Sequence, residues 1–223
     1  LISPALAAIS HDLQTDYQPE RQAEYDARSY CPGLRGSPVI TDLLTDSPIH
    51  DILDQALGIE NIVWDGGQIA IRKAHNQAAA VPPDPHLDGF SSGANGLQPG
   101  RIYNHTALIG VFLTPVVGEF AGNFTVWPKS HLIFETYFRD RGRQALCEAM
   151  PRPAIGDPLQ LQSEVGDVVL AHYHLGHTAA VNTSDVDRIA VFFRVSLRNA
   201  ISNQWNYLTH LWQGWRLPGN AQG

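Results

Sequence analysis

The chain has 223 residues, of which 43% are hydrophobic and 17% charged, and its formal net charge is −7. This is the composition of one ordinary globular domain, large enough to bury its own core. The acidic balance and the lack of a basic run exclude an electrostatic footprint for nucleic acid, and no apolar run reaches the roughly 18 residues of a membrane span.

Cys31 and Cys147 are too few for a disulfide scaffold, so free thiols and a cytoplasmic location are expected. The first residue is Leu1 rather than Met, so a processed leader ahead of it is compatible with the sequence. Residues 1–30 have an irregular helical pattern, with Ile9, Leu13, Tyr17 and Tyr25 on helical faces and Pro19 interrupting. Residues 31–38 hold two glycines and two prolines and predict a loop. A clearer helix follows. Ser47 is a suitable N-cap, Pro48 suits the first helical position and Gly58 the C-terminus. Between them Ile49, Ile52, Leu53, Ala56 and Leu57 make an apolar stripe.

From Glu60 the period changes, and Ile69 and Ile71 alternate with Gln68, Ala70 and Arg72 as in a strand. A loop over 74–85 leads into His86-Leu87-Asp88, and 89–101 is again loop-like, with Gly89, Gly93, Gly96, Pro99 and Gly100. A strand run over 101–114 becomes apolar on both faces by its end. A turn at 118–122 precedes a strand at 123–127, stopped by Pro128. Residues 132–150 predict a second helix with Gly142 in its middle. A proline-rich loop follows, then a turn at 165–167 opening a strand at 168–173. The run 188–197 is the most legible strand. Trp205, Leu208, Leu211, Trp212 and Trp215 then predict a helix closing over the sheet. Helices first and short strands afterwards favour an all-β core with helical decoration, a jelly roll or sandwich. Its parts would be a helical N-terminal region at about 1–60, the β core at about 61–200 and a helical segment at about 201–216.

Residues two apart on an extended backbone point the same way, so His86 and Asp88 would present an imidazole beside a carboxylate. That is two thirds of the two-histidine, one-carboxylate face that holds non-haem Fe(II) with coordination positions left open. Downstream, His172, His174 and His177 each offer a third ligand, and three histidines at a strand-to-loop junction also suit zinc. A closed structural zinc site wants four ligands, often with cysteine, and there is no local Cys-x-x-Cys. In the strand 188–197, Ile189, Val191, Phe193, Val195 and Leu197 make one apolar face, while Arg188, Ala190, Phe192, Arg194 and Ser196 make the other. An arginine turned into a cavity needs an anionic partner, and a dicarboxylate would supply it through a bidentate fork.

Four stretches resemble the phytanoyl-CoA dioxygenase family of Fe(II)/2-oxoglutarate oxygenases: the helix near 47–58, His86-x-Asp88-Gly89, the run from Gly122 to His131, and the segment from Gly166 through His177 and Asn182 to Arg188. In the third, Lys129 stands where the family has glycine. The resemblance covers roughly 45–197 and implies a double-stranded β-helix, the cupin-like jelly roll. It also implies that His86, Asp88 and His177 hold the iron and that Arg188 pairs with the distal carboxylate of 2-oxoglutarate. His172 then falls at a strand-end position that is not a ligand. The hydroxyl residue common two places after the distal histidine is here Ala179, so Thr178 is the substitute. Tyr103, Thr106 and Phe112 are further candidates for cosubstrate contacts, and Phe90, Gln98, Arg101 and Asn104 for the neighbourhood of the substrate.

The resemblance implies hydroxylation of a small organic metabolite by dioxygen, with release of succinate and carbon dioxide. Halogenase relatives carry a small residue at the carboxylate position to admit chloride, and Asp88 argues for oxygenation. Two other classes use the same residues: a cupin-like metalloenzyme without 2-oxoglutarate, and a silent jelly roll that binds a small acid.

Overall fold

The computed structural model describes residues 1–90, 97–98, 100–148 and 150–217. The expected loop at 89–101 therefore lies partly outside the described residues. Helices α1 (Ile2–Thr15), α2 (Gln22–Ala27), α3 (Pro38–Thr45) and α4 (Ile49–Leu57) come first. Strands β1 (Ile62–Trp64), β2 (Gln68–Arg72), β3 (Ala107–Phe112) and β4 (Phe124–Val126) follow, then α5 (Ser130–Arg141). Strands β5 (Leu159–Gln160), β6 (Val168–His172), β7 (His177–Ala179) and β8 (Arg188–Leu197) complete the sheets, and α6 (Arg198–Ser202) and α7 (Gln204–Thr209) come last.

All strand pairs are antiparallel and form two sheets, one of five strands and one of three. In the larger, β8 lies between β3 on one side and β1 and β2 on the other, and β6 pairs with the far side of β3. The smaller runs β5-β4-β7. This is the expected jelly roll with helical decoration.

The two faces of β8 part as its alternation requires. Val191, Phe193, Val195 and Leu197 are buried with Ile109 and Val111 of β3 against α1, α3 and α4. Ala190 and Phe192 face the other way and pack with Leu108 and Phe124 between the sheets. A third cluster, around Phe134 and Phe138 of α5, Leu87, Tyr173 and Leu208, closes the end of the barrel nearest residues 87–90.

Several boundaries differ from expectation for local reasons. The hydroxyl of Ser47 donates to the carbonyl of Leu43, finishing α3 instead of capping α4, and Pro48 occupies the N-cap. Ile52 of the expected stripe is largely exposed. Helix α3 was hidden by the loop-like residues before it. The strand at 101–114 shortens to β3, because 101–106 wraps the barrel end. Gly142 does not sit mid-helix: it ends α5 at φ +68°, and a 3-10 turn runs on to Cys147. The C-terminal stripe divides between α7 and the turn that follows it rather than forming one helix, and the short α6 precedes it.

Candidate metal centre

The centre starts from a backbone pairing. His86 and His177 exchange both amide bonds, His86 N to His177 O at 3.0 Å and His177 N to His86 O at 3.1 Å. Directly opposed residues in an antiparallel pair project to one face, which sets the imidazoles side by side with ring centroids 4.7 Å apart. Asp88, two residues on from His86, turns its Oδ1 to 3.5 Å from His86 Nε2 and 3.8 Å from His177 Nε2. One ligand atom from each residue lies within 4.8 Å of the others, the geometry of a three-ligand metal face.

Neighbouring groups hold His177 and Asp88 in place, whereas the His86 ring is about half exposed and, among the described residues, meets only those two. His177 Nδ1 lies 2.9 Å from the carbonyl of Leu175; a carbonyl only accepts, so Nδ1 carries the proton and Nε2 offers its lone pair. Burial pushes the His177 pKa down to about 4, which favours the neutral, ligating form. The hydroxyl of Tyr173 donates to the Asp88 carbonyl at 2.7 Å. Gly89 follows at φ +82°, and a Cβ there would come within 2.5 Å of the Tyr103 carbonyl oxygen, so the turn out of the site needs glycine. Burial opposes ionisation of Asp88, but the Arg194 charge, the His86 hydrogen bond and His177 outweigh it. They hold its carboxyl well below the usual range. Two imidazoles and a carboxylate are a donor set that fits a divalent first-row metal.

These three side chains line a cavity of about 220 Å³ that also takes in Arg188, Thr178 and Ala179. Arg188 is 2% exposed. Its Nε donates to Gly122 O at 2.8 Å and its Nη1 to Ala70 O at 3.1 Å. Gly122 stands at φ +73°, and a Cβ there would press on Arg72 and Arg188 at 2.9 and 3.0 Å. Burial, then the charge of Arg72 across the strand pair, draws the Arg188 pKa down to about 9, so it stays cationic at neutral pH.

Other expected residues fall elsewhere. The Thr106 hydroxyl accepts the Leu197 amide, which ties β3 to the end of β8. Tyr103 is 40% exposed on the wrapping segment, and Phe112 is sealed in the core between the sheets. None of the three lines the cavity. Phe90 stacks on Phe138, Asn104 bonds the Gln204 carbonyl, and Arg101 and Gln98 are exposed. His172 is engaged by Leu211 O at 2.8 Å and the His174 amide at 3.0 Å, and stays out of the metal face.

Sequence reasoning gave no site role to several lining residues, Asp26, Gln68, Arg72 and Arg194 among them. Arg194 contacts Asp88, and Arg72 lies opposite Arg188 with Asp26 of α2 at 3.7 Å. Arg194 had a signal in its place on the polar face of β8, and Gln68 and Arg72 in their alternation with Ile69 and Ile71, whereas Asp26 had none.

Solved structures share this architecture. Over 100% of this chain and 81% of its own, the non-haem α-ketoglutarate-dependent epimerase SnoN from nogalamycin biosynthesis superposes with a TM-score of 0.52 at 19% identity. A nickel complex of the non-haem monooxygenase ThoJ gives 0.53 at 20% identity, over 88% of this chain and 72% of that one. HygX from Streptomyces hygroscopicus, with nickel and 2-oxoglutarate bound, gives 0.52 at 15%, over 88% and 78%. A search of curated proteins found no match. At such identities the structures establish the fold alone. The family model for phytanoyl-CoA dioxygenase, however, matches residues 7–190, a span that contains the metal face and Arg188. The chain therefore belongs to the phytanoyl-CoA dioxygenase family, iron- and 2-oxoglutarate-dependent enzymes of the oxygenase type.

Proposed function

We propose that the protein hydroxylates an unactivated C–H bond of a small organic molecule, with His86, Asp88 and His177 as the iron ligands and Arg188 as the anchor of 2-oxoglutarate. The observation that carries this reading is one cavity holding both the three-ligand face and a buried guanidinium that has no carboxylate partner among the described residues. Bound iron with 2-oxoglutarate supplies oxidation of a C–H bond by dioxygen, coupled to loss of carbon dioxide and formation of succinate.

The chain's own part is orientation and exclusion of water. His86 and His177 present their Nε2 atoms from opposed backbone positions. Asp88 stays ionised and occupies the place that a halogenase leaves to chloride, which favours oxygen insertion. Arg188 fixes the far carboxylate of the cosubstrate, and Thr178, next to His177 on the cavity wall, is the remaining hydroxyl contact. Phe124, Leu108 and Phe192 give the cavity an apolar wall that keeps water from the reacting carbon.

The test begins without oxygen. Fe(II) and 2-oxoglutarate added to the protein should give the visible charge-transfer band of a chelated 2-oxo acid. Small molecules are then screened in air for stimulated succinate formation, and products are weighed for one added oxygen atom drawn from labelled dioxygen. Absence of the band would favour a metalloenzyme or acid-binding protein without 2-oxoglutarate. Succinate formation with an epimerised product and no oxygen gained would overturn hydroxylation while keeping the cofactors.

A further inference from the structure

The two oxygens of Asp88 have separate partners. Oδ1 faces the imidazoles at 3.5 and 3.8 Å, whereas Oδ2 accepts Nε of Arg194 at 2.8 Å. Arg194 is itself held from behind, because its Nη1 donates to Gln68 Oε1 at 2.6 Å. Gln68 is on β2, which pairs with β8, so guanidinium and amide are fixed by adjacent strands rather than by a loop. All three side chains line the cavity. The Arg194 side chain is 40% exposed, so its position owes more to this bond pair than to burial.

A carboxylate binds a metal through one oxygen or through both. With two imidazoles, a one-oxygen carboxylate leaves three of six positions open. A bidentate carboxylate leaves two, which the 2-oxo acid alone would fill, with none left for dioxygen. We propose that Arg194 is a positioning residue: braced by Gln68, it detains Oδ2 so that Asp88 meets the iron through Oδ1 only, keeping one coordination position free. Its charge also cancels that of Asp88. Asp88 and Arg194 together then carry no net charge, and the dianionic cosubstrate, rather than this pair, neutralises the metal.

This inference rests on the iron-ligand reading above, and the experiment separates the two. Wild type, Arg194→Met and Arg194→Lys are titrated with Co(II) and then, without oxygen, with 2-oxoglutarate. The d–d absorption of cobalt reports the coordination number. Removing Arg194 removes a neighbouring cation and frees Oδ2. Arg194→Met should therefore bind Co(II) at least as tightly as wild type, show an altered d–d spectrum and bind 2-oxoglutarate at least 10-fold more weakly. Arg194→Lys, which keeps the charge and one donor, should recover part of both. An unchanged spectrum with unchanged 2-oxoglutarate affinity would overturn the proposal, and so would a parallel loss of cobalt and cosubstrate binding, the mark of a merely structural role. Failure of the wild type to bind Co(II) would instead remove the ligand assignment beneath it.

Discussion

Replacing Arg188 with methionine tests the cosubstrate anchor against a calculable expectation. Of the five N–H groups of the guanidinium, Nε and one on Nη1 are committed to Gly122 O and Ala70 O, which leaves three for an anion. Hydrogen bonds to charged groups contribute about 1.5–3 kcal/mol net each, so every bond of the fork that is lost should raise the dissociation constant for 2-oxoglutarate roughly 10- to 150-fold. The fold should survive. Two carbonyls lose their donor, but a guanidinium that is 2% exposed is also removed, and its desolvation penalty with it. The assay is anaerobic titration of the Fe(II) protein with 2-oxoglutarate, run in parallel with a 2-oxo acid of similar length that lacks the distal carboxylate. Wild type should discriminate strongly between the two acids, and Arg188→Met hardly at all, with the shorter-charged acid bound equally by both proteins. At saturating cosubstrate the variant's kcat should change little, because the contact persists unchanged through the reaction. Discrimination between the two acids preserved in Arg188→Met would refute the reasoning.

Asp88→Ala should abolish hydroxylation and the thermal stabilisation that wild type gains from Co(II), about 2.7 kcal/mol at a hundredfold excess over Kd; full activity in the variant would sink the ligand assignment. Stability should also fall as the solution is acidified from neutrality. Burial holds His105 neutral in the native state, with its pKa pushed down to about 3, and His172 likewise at about 4. The unfolded chain binds these protons first, near pH 6.5, so stability is complete above that value and is lost as pH falls towards the folded ones. His105 alone would forfeit about 2 kcal/mol between pH 7 and pH 5, and denaturation midpoints that are flat or rise across that interval would contradict it. Finally, Lys129 sits at φ +68°, in the turn where the family resemblance leads one to expect glycine. A left-handed residue costs roughly 1–2 kcal/mol and a glycine's extra chain entropy about 0.5–1, so Lys129→Gly should stabilise by about 0.5–1 kcal/mol. A melting temperature that drops would show that the Lys129 side chain makes a compensating contact.

What the sequence discloses here is what periodicity and spacing can encode. The alternation of Arg188–Leu197 shows both faces of β8, and the structure seals one against helices and turns the other inward. His86 and Asp88 carry their spacing in the tripeptide itself. Long-range partners have no such signature. Asp88 and Arg194 are 106 residues apart and Arg72 and Asp26 are 46 apart, and nothing local says that either pair meets. Thr106 and Tyr103 were placed on the site by strand membership, but the chain is not yet a strand at those positions, and their side chains serve the barrel end. Ser47 is not the N-cap of α4 because Pro48 takes that place, and the Ser47 hydroxyl instead donates to the carbonyl of Leu43 at the end of α3.

Strand β8 explains why these features cohere. Arg188 and Arg194 are six residues apart, an even number, so they share a face and span about 20 Å of strand. Both line the cavity, Arg194 on the outer oxygen of Asp88, and in the function proposed above Arg188 would take the far end of the cosubstrate, so a single rigid element would fix two points of the reacting assembly. The intervening residues on that face, Ala190 and Phe192, are apolar and buried between the sheets. The odd positions form the helix-facing core. A slip of one residue in the β8 register would bury both guanidinium groups among α1, α3 and α4 and expose Phe193 and Val195 to the cavity. The hydrophobic alternation that selects the fold therefore also selects the spacing of the two charges. Function here is not an addition to a finished scaffold, because the register that dries the core is the register that aims Arg188 and Arg194 into the cavity.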